Sequence, residues 1–194
     1  GGESVLICFY PHPRKIVQPD RQIAELTTLD ERIELLKRQG LDNLVVVPFN
    51  KEFSEQTAEQ YIKDFLVDRF HPALIIIGYD HKFGNNREGD YRLLEQMGEQ
   101  YNYTVKEIPQ QLINEVAISS TKIRNALSNG EIETANQLLG YPYFFKGNVI
   151  EGNKLGRKLG YPTANLQIQD PDKLVPANGV YAVEAQIEGE TSML

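Results

Sequence analysis

A glycine-rich segment between positions 147 and 165 contains the residues of this chain that are best suited to chemistry. It reads G-N-V-I-E-G-N-K-L-G-R-K-L-G-Y-P-T-A-N, with four glycines and three cations. Glycines let the backbone approach a ligand closely, and successive N–H groups can line a concave anion site. Thr163 and Asn165 would share one face of an extended segment and offer the oxygen ligands that suit Mg²⁺. The segment therefore predicts phosphate and Mg²⁺ binding, against the simpler alternative of a glycine-rich turn without a ligand.

A second polar motif, I-S-S-T-K-I-R at positions 118–124, places hydroxyls and cations at the predicted start of a helix. We expect Ser119 and Ser120 to cap that helix, whose free N–H groups and dipole would attract an anion. Arg124 would lie one turn along from Ser120 and Thr121, where its guanidinium could close on the same phosphates. The alternative is an ordinary helix cap with solvated cations, since capping serines are common.

The composition bounds the class of protein. The 194 residues suffice for one large domain or two small ones, and 41% hydrophobic with 24% charged residues is typical of a globular protein. With a net charge of −7, the chain lacks the broad positive charge of a nucleic-acid-binding protein. Any phosphate binding must therefore come from a few residues at one site. Cys8 is the only cysteine, which excludes an intrachain disulfide and fits a reducing compartment. The longest apolar runs are too short to cross a bilayer, so we expect a cytoplasmic protein without a membrane partner.

Strand and helix patterns alternate over the first 140 residues, which predicts a parallel sheet with right-handed crossovers. Apolar or alternating runs predict strands at 5–9, 44–47, 74–77 and 103–108. The first three of these strands are predicted to be buried on both faces of the sheet. Capping residues and helical stripes predict helices that begin near Thr28, Thr57 and Asp90, and one at 131–139. Strand-like segments without a convincing helix follow at 144–150 and 180–187, so we predict an antiparallel module after a boundary near residues 140–143.

Three motifs in the first part resemble those of bacterial FAD synthetases. The turn F-Y-P-H-P at 9–13 resembles the family's flavin-lining turn, although Pro-His-Pro alone would predict only a rigid polar turn. The loop G-Y-D-H-K-F-G at 78–84 resembles the family's G-x-[ND]-x-x-F-G loop, with Asp80 where many members carry Asn. The I-S-S-T-x-I-R motif resembles the phosphate-binding signature of the nucleotidyltransferase superfamily to which the FAD synthetases belong.

The glycine-rich segment resembles the riboflavin kinase signature G-x-V-x-x-G-x-x-x-G-R-x-L-G-x-P-T-A-N, and G-V-Y-A follows it at 179–182. The chain as a whole thus resembles the bacterial bifunctional riboflavin kinase/FAD synthetases. The resemblance implies an α/β fold, with a Rossmann-like nucleotidyltransferase domain and its parallel sheet over residues 1–140. Part of a small antiparallel β-barrel of the riboflavin kinase type would follow over residues 143–194.

The same resemblance implies two ATP-dependent reactions: phosphorylation of riboflavin to FMN, and adenylylation of FMN to FAD with release of pyrophosphate. The partners would be the small molecules riboflavin, FMN and ATP, with Mg²⁺ as cofactor, while no motif addresses the oligomeric state. Two alternatives stay open. One is an adenylyltransferase of the same superfamily with another acceptor, and the other is a fragment that binds flavin or nucleotide without turnover.

The resemblance also implies roles for individual residues. In the adenylyltransferase, catalysis and phosphate binding would fall to Ser119, Ser120, Thr121 and Arg124. The flavin side of that site would include Pro11, Pro13 and Asp80. In the kinase, the residues that contact ATP would be Gly152, Gly156, Arg157 and Gly160. The Mg²⁺ ligands would be Thr163 and Asn165.

Two features of the family are not matched by this sequence. The adenylyltransferase begins with a strand and an H-x-G-H turn, whereas the histidines here are the separate His12, His71 and His81. The kinase uses a glutamate as general base in a later strand, and nothing after Val183 matches that context. We therefore expect this chain to be an internal piece of such an enzyme that makes neither FMN nor FAD by itself.

Overall fold

The computed structural model describes residues 2–17, 24–153, 155–158, 160–161, 163–187 and 190–193. Strands and helices alternate over the first part of the chain. The strands are β1 (Val5–Tyr10), β2 (Asn43–Pro48), β3 (Leu74–Gly78) and β4 (Thr104–Ile108). The helices are α1 (Pro13–Val17), α2 (Leu29–Arg38), α3 (Lys51–Ser54), α4 (Ala58–Gln60), α5 (Asp68–Phe70), α6 (Tyr91–Tyr101), α7 (Gln110–Ser128) and α8 (Ile132–Leu139), with a π-helical segment (Tyr61–Val67) and a 3-10 turn (Asn85–Arg87). Within the described part of the chain, no helix is long and apolar enough to cross a membrane.

Three helices begin where the capping residues predict. The hydroxyl of Thr28 accepts the N–H of Glu31 at 3.3 Å, and the Glu31 carboxylate accepts the N–H of Thr28 at 2.9 Å. The same reciprocal arrangement precedes α4, between Thr57 and Gln60, and the carboxylate of Asp90 caps α6. These side chains satisfy backbone N–H groups that a helix start leaves without a helical partner.

The apolar stripe predicted after position 57 forms the centre of the first hydrophobic core. Its five buried members are Ala58, Tyr61, Ile62, Phe65 and Leu66. The buried residues from other elements that pack with them are Val47, Phe83, Leu94 and Tyr103. A second core joins α7 to α8 through Ile123, Ala126, Leu127 and Ala135. Tyr143 and Leu174 pack against this second core, so residues beyond the predicted boundary contact the part of the chain before residue 140, which we name the first module.

The parallel strands form two separate two-stranded sheets, and the prediction of strands buried on both faces is wrong for β1 and β3, while in β2 Val46 is also exposed. β1 pairs only with β2, and β3 pairs only with β4, among the described residues. Val5 and Leu6 of β1 are exposed, and so are Leu74 and Ile76 of β3. A two-stranded sheet consists of edge strands, each of which offers a row of backbone N–H and C=O groups to a further strand.

The strands after residue 143 are antiparallel, as predicted. β5 (Asn148–Ile150) pairs with β6 (Asn165–Gln167), and β7 (Glu184–Ile187) pairs with β8 (Glu190–Met193). The two pairs are separate sheets, and the described residues do not close into a barrel. One short helix, α9 (Leu155–Lys158), lies in a region predicted to have none. Its four residues are too few to show a helical period in the sequence.

Residues 170–177, which we name the strap, pack against the first module. A parallel β-bridge joins Lys173 of the strap to Glu25, flanked by backbone hydrogen bonds of 2.7 and 2.9 Å. Further along the strap, the N–H of Ala177 donates to the carbonyl oxygen of Leu127 in α7 at 2.9 Å. The strap therefore comes after the predicted boundary in the sequence, but in the structure it packs on the surface of the first module.

Candidate functional site

The I-S-S-T-K-I-R motif lies in the middle of a long helix, and the prediction that Ser119 and Ser120 cap a helix is wrong. α7 runs without a break from Gln110 to Ser128. Ser119 is about 14 Å along the axis from the helix start, beyond the first turn where N–H groups are free and the dipole acts. The residues before Ser119 include the strong helix formers Gln, Leu, Glu and Ala without Gly or Pro, so the helix begins early. Phosphate binding by this motif would have to use side chains.

Arg124 keeps the predicted spacing to the motif's hydroxyls. It follows Ser120 by four residues and Thr121 by three, so the three side chains lie on one face of α7. The Nε of Arg124 donates a hydrogen bond of 2.9 Å to the carbonyl oxygen of Ala24. A guanidinium has five N–H groups in a planar fork, and this bond uses one of them. The anchored side chain can therefore still offer the fork to a phosphate.

The Tyr-Pro-His-Pro turn follows β1, where the sequence predicts the flavin side of the first site. A cis peptide bond joins Tyr10 to Pro11, and Pro13 is the first residue of α1. Between the prolines, the Nδ1 of His12 accepts the backbone N–H of Arg14 at 3.2 Å. An Nδ1 that accepts a hydrogen bond belongs to the neutral imidazole. Burial lowers the pKa of His12, which also favours the neutral form. The turn therefore holds His12 uncharged near neutral pH.

Asp80 lies in an exposed turn directly after β3. The N–H of His81 donates to the carbonyl oxygen of Gly78 at 3.0 Å and closes this turn. Beyond it, Phe83 and Gly89 exchange two backbone hydrogen bonds of 3.1 and 2.9 Å, which close the rest of the loop. Phe83 is buried in the first core and fixes the base of the loop, while Asp80 stays accessible to a ligand.

An aromatic cluster links the turn after β1 with the turn after β3. The ring centroids of Phe9 and Phe53 are 5.3 Å apart, and those of Phe53 and Tyr61 are 6.1 Å apart. Tyr61 lies 5.2 Å from Phe83, whose ring is 5.8 Å from that of His81. Aromatic rings at these separations attract one another in edge or offset arrangements. The two turns that carry the predicted flavin residues therefore border the same cluster.

Ion pairs connect α1, which follows the turn after β1, with the residues next to Ala24, the hydrogen-bond acceptor of Arg124. The Nζ of Lys15 in α1 lies 3.3 Å from Glu25 and 2.5 Å from Asp172. The hydrogen bond with Asp172 raises the pKa of Lys15 and keeps this cation charged. Glu25 directly follows Ala24, the acceptor of the Arg124 hydrogen bond. The turn predicted to contact flavin and the helix predicted to bind phosphate are thus both bound to the adjacent residues Ala24 and Glu25.

The Thr-Ala-Asn segment leads into β6, whose first residue is Asn165. The side chains of Thr163 and Asn165 are both exposed. A Cβ atom on Gly152 would overlap the side-chain amide of Asn165. A Cβ atom on Gly156 would overlap the carbonyl oxygen of Tyr161 and lie 3.0 Å from Oγ1 of Thr163. Only glycine permits these approaches, so the glycine-rich backbone lies directly on the two predicted Mg²⁺ ligands.

The donors of Thr163 and Asn165 fit Mg²⁺. A hydroxyl and an amide oxygen are hard ligands, and Mg²⁺ commonly takes few protein oxygens while keeping waters and substrate phosphates. The glycine backbone beside them forms a cradle that a larger residue would fill. In the part of the chain that the structure describes, no three His, Cys, Asp or Glu side chains cluster to hold a metal. The donor chemistry of Thr163 and Asn165 and the glycine backbone beside them make these two residues candidate metal ligands, and this stays a prediction.

The remaining predicted ATP contacts lie in α9 or shortly after it. Arg157 lies in this helix with an exposed side chain. Gly160 follows the helix with a φ of +85°, a left-handed conformation that favours glycine. The N–H of Tyr161 donates to the carbonyl oxygen of Gly156 at 2.8 Å and closes the turn. The signature residues outside the described part of the chain are Lys154, Leu159 and Pro162.

Sequence reasoning missed a buried ion pair between residues on opposite sides of the predicted boundary. The Nζ of Lys173 lies 2.6 Å from Oε2 of Glu31, and both side chains are 1% exposed. The sequence showed Glu31 only as the capping-box partner of Thr28. The paired residues are 142 positions apart and Lys173 lies in no motif, so no local signal connects them.

Two family models match the chain in succession. The FAD synthetase model matches residues 1–122. The riboflavin kinase model matches residues 139–194. The two matches do not overlap, and together they account for most of the chain.

Relatives named bifunctional riboflavin kinase/FMN adenylyltransferase align with nearly the whole chain. The protein of Buchnera aphidicola (from Schizaphis graminum) is 43% identical, with 93% of this chain and 58% of that protein covered. The Listeria monocytogenes protein is 38% identical over 100% of this chain and 61% of its own length. The Escherichia coli K12 protein is 36% identical over 96% of this chain and 59% of its own length. The chain thus spans about three-fifths of the length of these relatives.

A solved structure shares the fold over nearly the whole chain. It is described as a macrolide-efflux protein from Streptococcus pneumoniae, and its TM-score against this structure is 0.75. The sequence identity is 28%, and the alignment covers 98% of this chain and 62% of that one. As with the relatives above, the similarity extends over both parts of the chain.

Proposed function

Because the chain belongs to the FAD synthetase family, we propose that the complete protein adenylylates FMN to FAD and also phosphorylates riboflavin to FMN. The observation that carries the proposal is the succession of the two family models along one chain. Relatives named for both activities align across both matched regions. We assign the FMN adenylyltransferase module to residues 1–140 and the N-terminal part of the riboflavin kinase module to residues 143–194.

In the first proposed reaction, an FMN phosphate oxygen bonds to the α-phosphorus of ATP while the bond to pyrophosphate breaks. No protein nucleophile is required, so catalysis rests on positioning and on stabilisation of developing charge. We assign these roles to Arg124, Ser120 and Thr121, with Ser119 as a further phosphate contact. Their common face on α7 and the anchored guanidinium of Arg124 support this assignment.

We assign the flavin side of this site to Pro11, Pro13 and Asp80. The two turns that carry them border one aromatic cluster, and a flavin ring is itself flat and aromatic. The exposed carboxylate of Asp80 can accept hydrogen bonds from polar groups of a ligand. These features support a flavin between the turns.

In the second proposed reaction, the 5′-hydroxyl oxygen of riboflavin bonds to the γ-phosphorus of ATP, ADP leaves, and the hydroxyl proton passes to a general base. Thr163 and Asn165 would hold Mg²⁺, which neutralises charge on the phosphates when it is bound. The close approach of the glycine backbone to both residues supports this role. The residues that would cover the nucleotide are Gly152, Gly156, Arg157 and Gly160.

We extend the proposal to the fold and setting of the complete protein. β1–β4 would belong to one Rossmann-like nucleotidyltransferase sheet, and β5–β8 would belong to a closed barrel. The parallel pairing of the first four strands, the antiparallel pairing of the last four, and the exposed apolar side chains of β1 and β3 support this. We place the enzyme in the cytoplasm, acting on small molecules without a nucleic-acid or membrane partner.

Chromatographic separation of flavins tests the proposed function. The complete protein is incubated with ATP and Mg²⁺, with riboflavin in one reaction and FMN in another. We expect FMN followed by FAD from riboflavin, FAD and pyrophosphate from FMN, and no product after Mg²⁺ is removed with EDTA. Pyrophosphate release with a different phosphorylated acceptor would favour another adenylyltransferase. Flavin binding without any product would favour a protein that holds the ligand without turnover.

A further inference from the structure

Lys173 is buried where the strap meets the first module. Its Nζ donates hydrogen bonds to Oε2 of Glu31 at 2.6 Å, to the carbonyl oxygen of Leu26 at 2.8 Å and to that of Phe144 at 2.9 Å. An ammonium group has three N–H donors, so each donor of Lys173 has an acceptor. The Nζ also lies 4.3 Å from the centroid of the Tyr143 ring, a cation–π contact. The ammonium is therefore held in one position.

Glu31 completes this contact from α2. Its Oε2 accepts the N–H of Thr28 at 2.9 Å as well as the ammonium of Lys173, and its Oε1 accepts the N–H of Lys146 at 3.3 Å. The intact pair is neutral and fully hydrogen-bonded. Removal of either partner would leave an uncompensated charge in the interior. The two residues therefore act as a unit, which we name the joint.

The joint is connected to Arg124 through the backbone. Lys173 forms a β-bridge with Glu25, and the preceding residue, Ala24, accepts the Nε hydrogen bond of Arg124 at 2.9 Å. The strap also donates a backbone hydrogen bond of 2.9 Å to α7, the helix that carries Arg124. A displaced strap would therefore move both the carbonyl group that anchors the guanidinium and the helix itself.

We propose that the buried Lys173–Glu31 joint is a positioning element through which the strap sets the placement of Arg124 for adenylyl transfer. This inference rests on the proposed function, in which Arg124 binds phosphate. Lys173 lies in the region matched by the riboflavin kinase model, whereas Glu31 lies in the region matched by the FAD synthetase model. A residue of the kinase-matched region thus controls the other reaction.

The variant Lys173→Met tests the joint, because methionine approximates the lysine stem but removes the charge and all three donors. In the complete protein, we expect kcat/KM for ATP in FAD formation from FMN to fall about 10- to 100-fold, as for other small misplacements of catalytic groups. Riboflavin phosphorylation by the same sample should change little, since no hydrogen bond of the joint reaches β6 in the described residues.

Lys146→Met is the matched control. The ion pair of Lys146 with Glu34, at 2.8 Å, also connects α2 with the chain after the boundary, but its side chains are 60% and 36% exposed. Exposed ion pairs contribute little, so both activities should stay within about twofold of wild type. A loss of FAD formation in Lys146→Met equal to that in Lys173→Met would overturn the assignment to the buried pair.

A double-mutant cycle tests whether Lys173 acts through Arg124. In the Arg124→Ala background, Lys173→Met should cause a much smaller loss of FAD formation than in the wild-type background, because the guanidinium is gone and only the hydroxyl groups of α7 can still be displaced. If the two losses multiply instead, Lys173 acts by another route and the proposal is wrong.

A neutral double variant separates positioning from loss of folding. Glu31→Gln with Lys173→Met removes both charges, and glutamine can still serve the capping box with Thr28. We expect it to recover part of the FAD formation lost in Lys173→Met, with thermal unfolding as the check on folding. Proportional loss of both activities in Lys173→Met, without recovery in the double variant, would overturn the proposal. Absence of FAD formation in the wild-type protein would instead contradict the proposed function itself.

Discussion

Gly152 lies so close to the side chain of Asn165 that a Cβ atom at position 152 would overlap the amide group. Asn165 opens β6, and Gly152 follows β5, the antiparallel partner of β6. The pairing of these strands therefore brings the glycine-rich backbone onto one of the two proposed Mg²⁺ ligands. The backbone and the ligand form one structural unit.

Gly152→Ala should displace the Asn165 amide and lower the rate of riboflavin phosphorylation by roughly 10-fold or more. FAD formation from supplied FMN should remain unchanged, because the atoms that a Cβ at position 152 would meet belong to Asn165 and not to the first module. Both rates are measured by flavin chromatography on the complete protein. Asn153→Ala, a change of the exposed neighbouring residue, is the control. Unchanged phosphorylation in Gly152→Ala would show that the contact with Asn165 has no role in the reaction.

Thr163→Ala should abolish FMN formation from riboflavin and spare FAD formation from FMN. The substitution removes one of the few protein oxygens available to Mg²⁺ in this site. Thr104→Ala is the control, since Thr104 is also an exposed threonine, whose hydroxyl donates to the carbonyl oxygen of Ala73 at 3.2 Å. Equal loss of both activities in Thr163→Ala would contradict two separable sites.

Arg124→Ala should reduce FAD formation from FMN and leave riboflavin phosphorylation intact. Loss of one charged contact to the reacting phosphates should cost about 2–4 kcal/mol of transition-state stabilisation, or roughly 30- to 1000-fold in rate. Lys122→Ala removes an exposed cation two residues earlier on α7 and should have little effect. A near-wild-type rate in Arg124→Ala would show that the guanidinium only anchors α7 to Ala24.

The free energy of unfolding should fall as the pH is lowered below about 6.5, the ordinary pKa of histidine. Burial lowers the pKa of His12 in the folded protein, opposed by the negative charge of Glu25. Between the lowered value and 6.5 the unfolded chain binds more protons than the folded one, so acid favours unfolding there. Urea unfolding at several pH values measures this dependence.

His12→Gln should weaken that pH dependence, because glutamine does not titrate but can still accept the N–H of Arg14. Burial also lowers the pKa of His81, which should keep the remaining part. His71→Asn is the matched control, since His71 is exposed and its φ of +48° suits asparagine. An identical pH profile for wild type and His12→Gln would show that His12 does not contribute.

Features set by neighbouring residues could be predicted from the sequence. The capping boxes at Thr28 and Thr57 need only residues three positions apart, and both are formed. The apolar stripe after Thr57 is buried as its spacing indicates, even though part of it is π-helical. The glycine-rich signature also includes Thr163 and Asn165, and the structure places the backbone of Gly156 and Gly152 close to them.

Two kinds of feature could not be predicted: those in which one local signal competes with another, and contacts between residues far apart in the sequence. The serines of α7 have good capping chemistry, but the helix-forming residues before them extend the helix past that cap. Pairing between strands and the Lys173–Glu31 contact depend on residues far apart in sequence. No propensity or periodicity encodes which of many possible distant partners a buried charge will find.

Mixing two variants, each deficient in a different reaction, tests the central claim that separate sites on one protein make FMN and then FAD. Neither Thr163→Ala nor Arg124→Ala alone should convert riboflavin to FAD at a useful rate in the presence of ATP and Mg²⁺. Arg124→Ala should still release FMN, and Thr163→Ala should still use FMN. An equimolar mixture should therefore restore FAD formation, with FMN as a transient intermediate in the chromatogram. If the wild-type protein makes FAD from riboflavin but the mixture makes none, the two reactions do not occupy the separate sites assigned to Arg124 and Thr163.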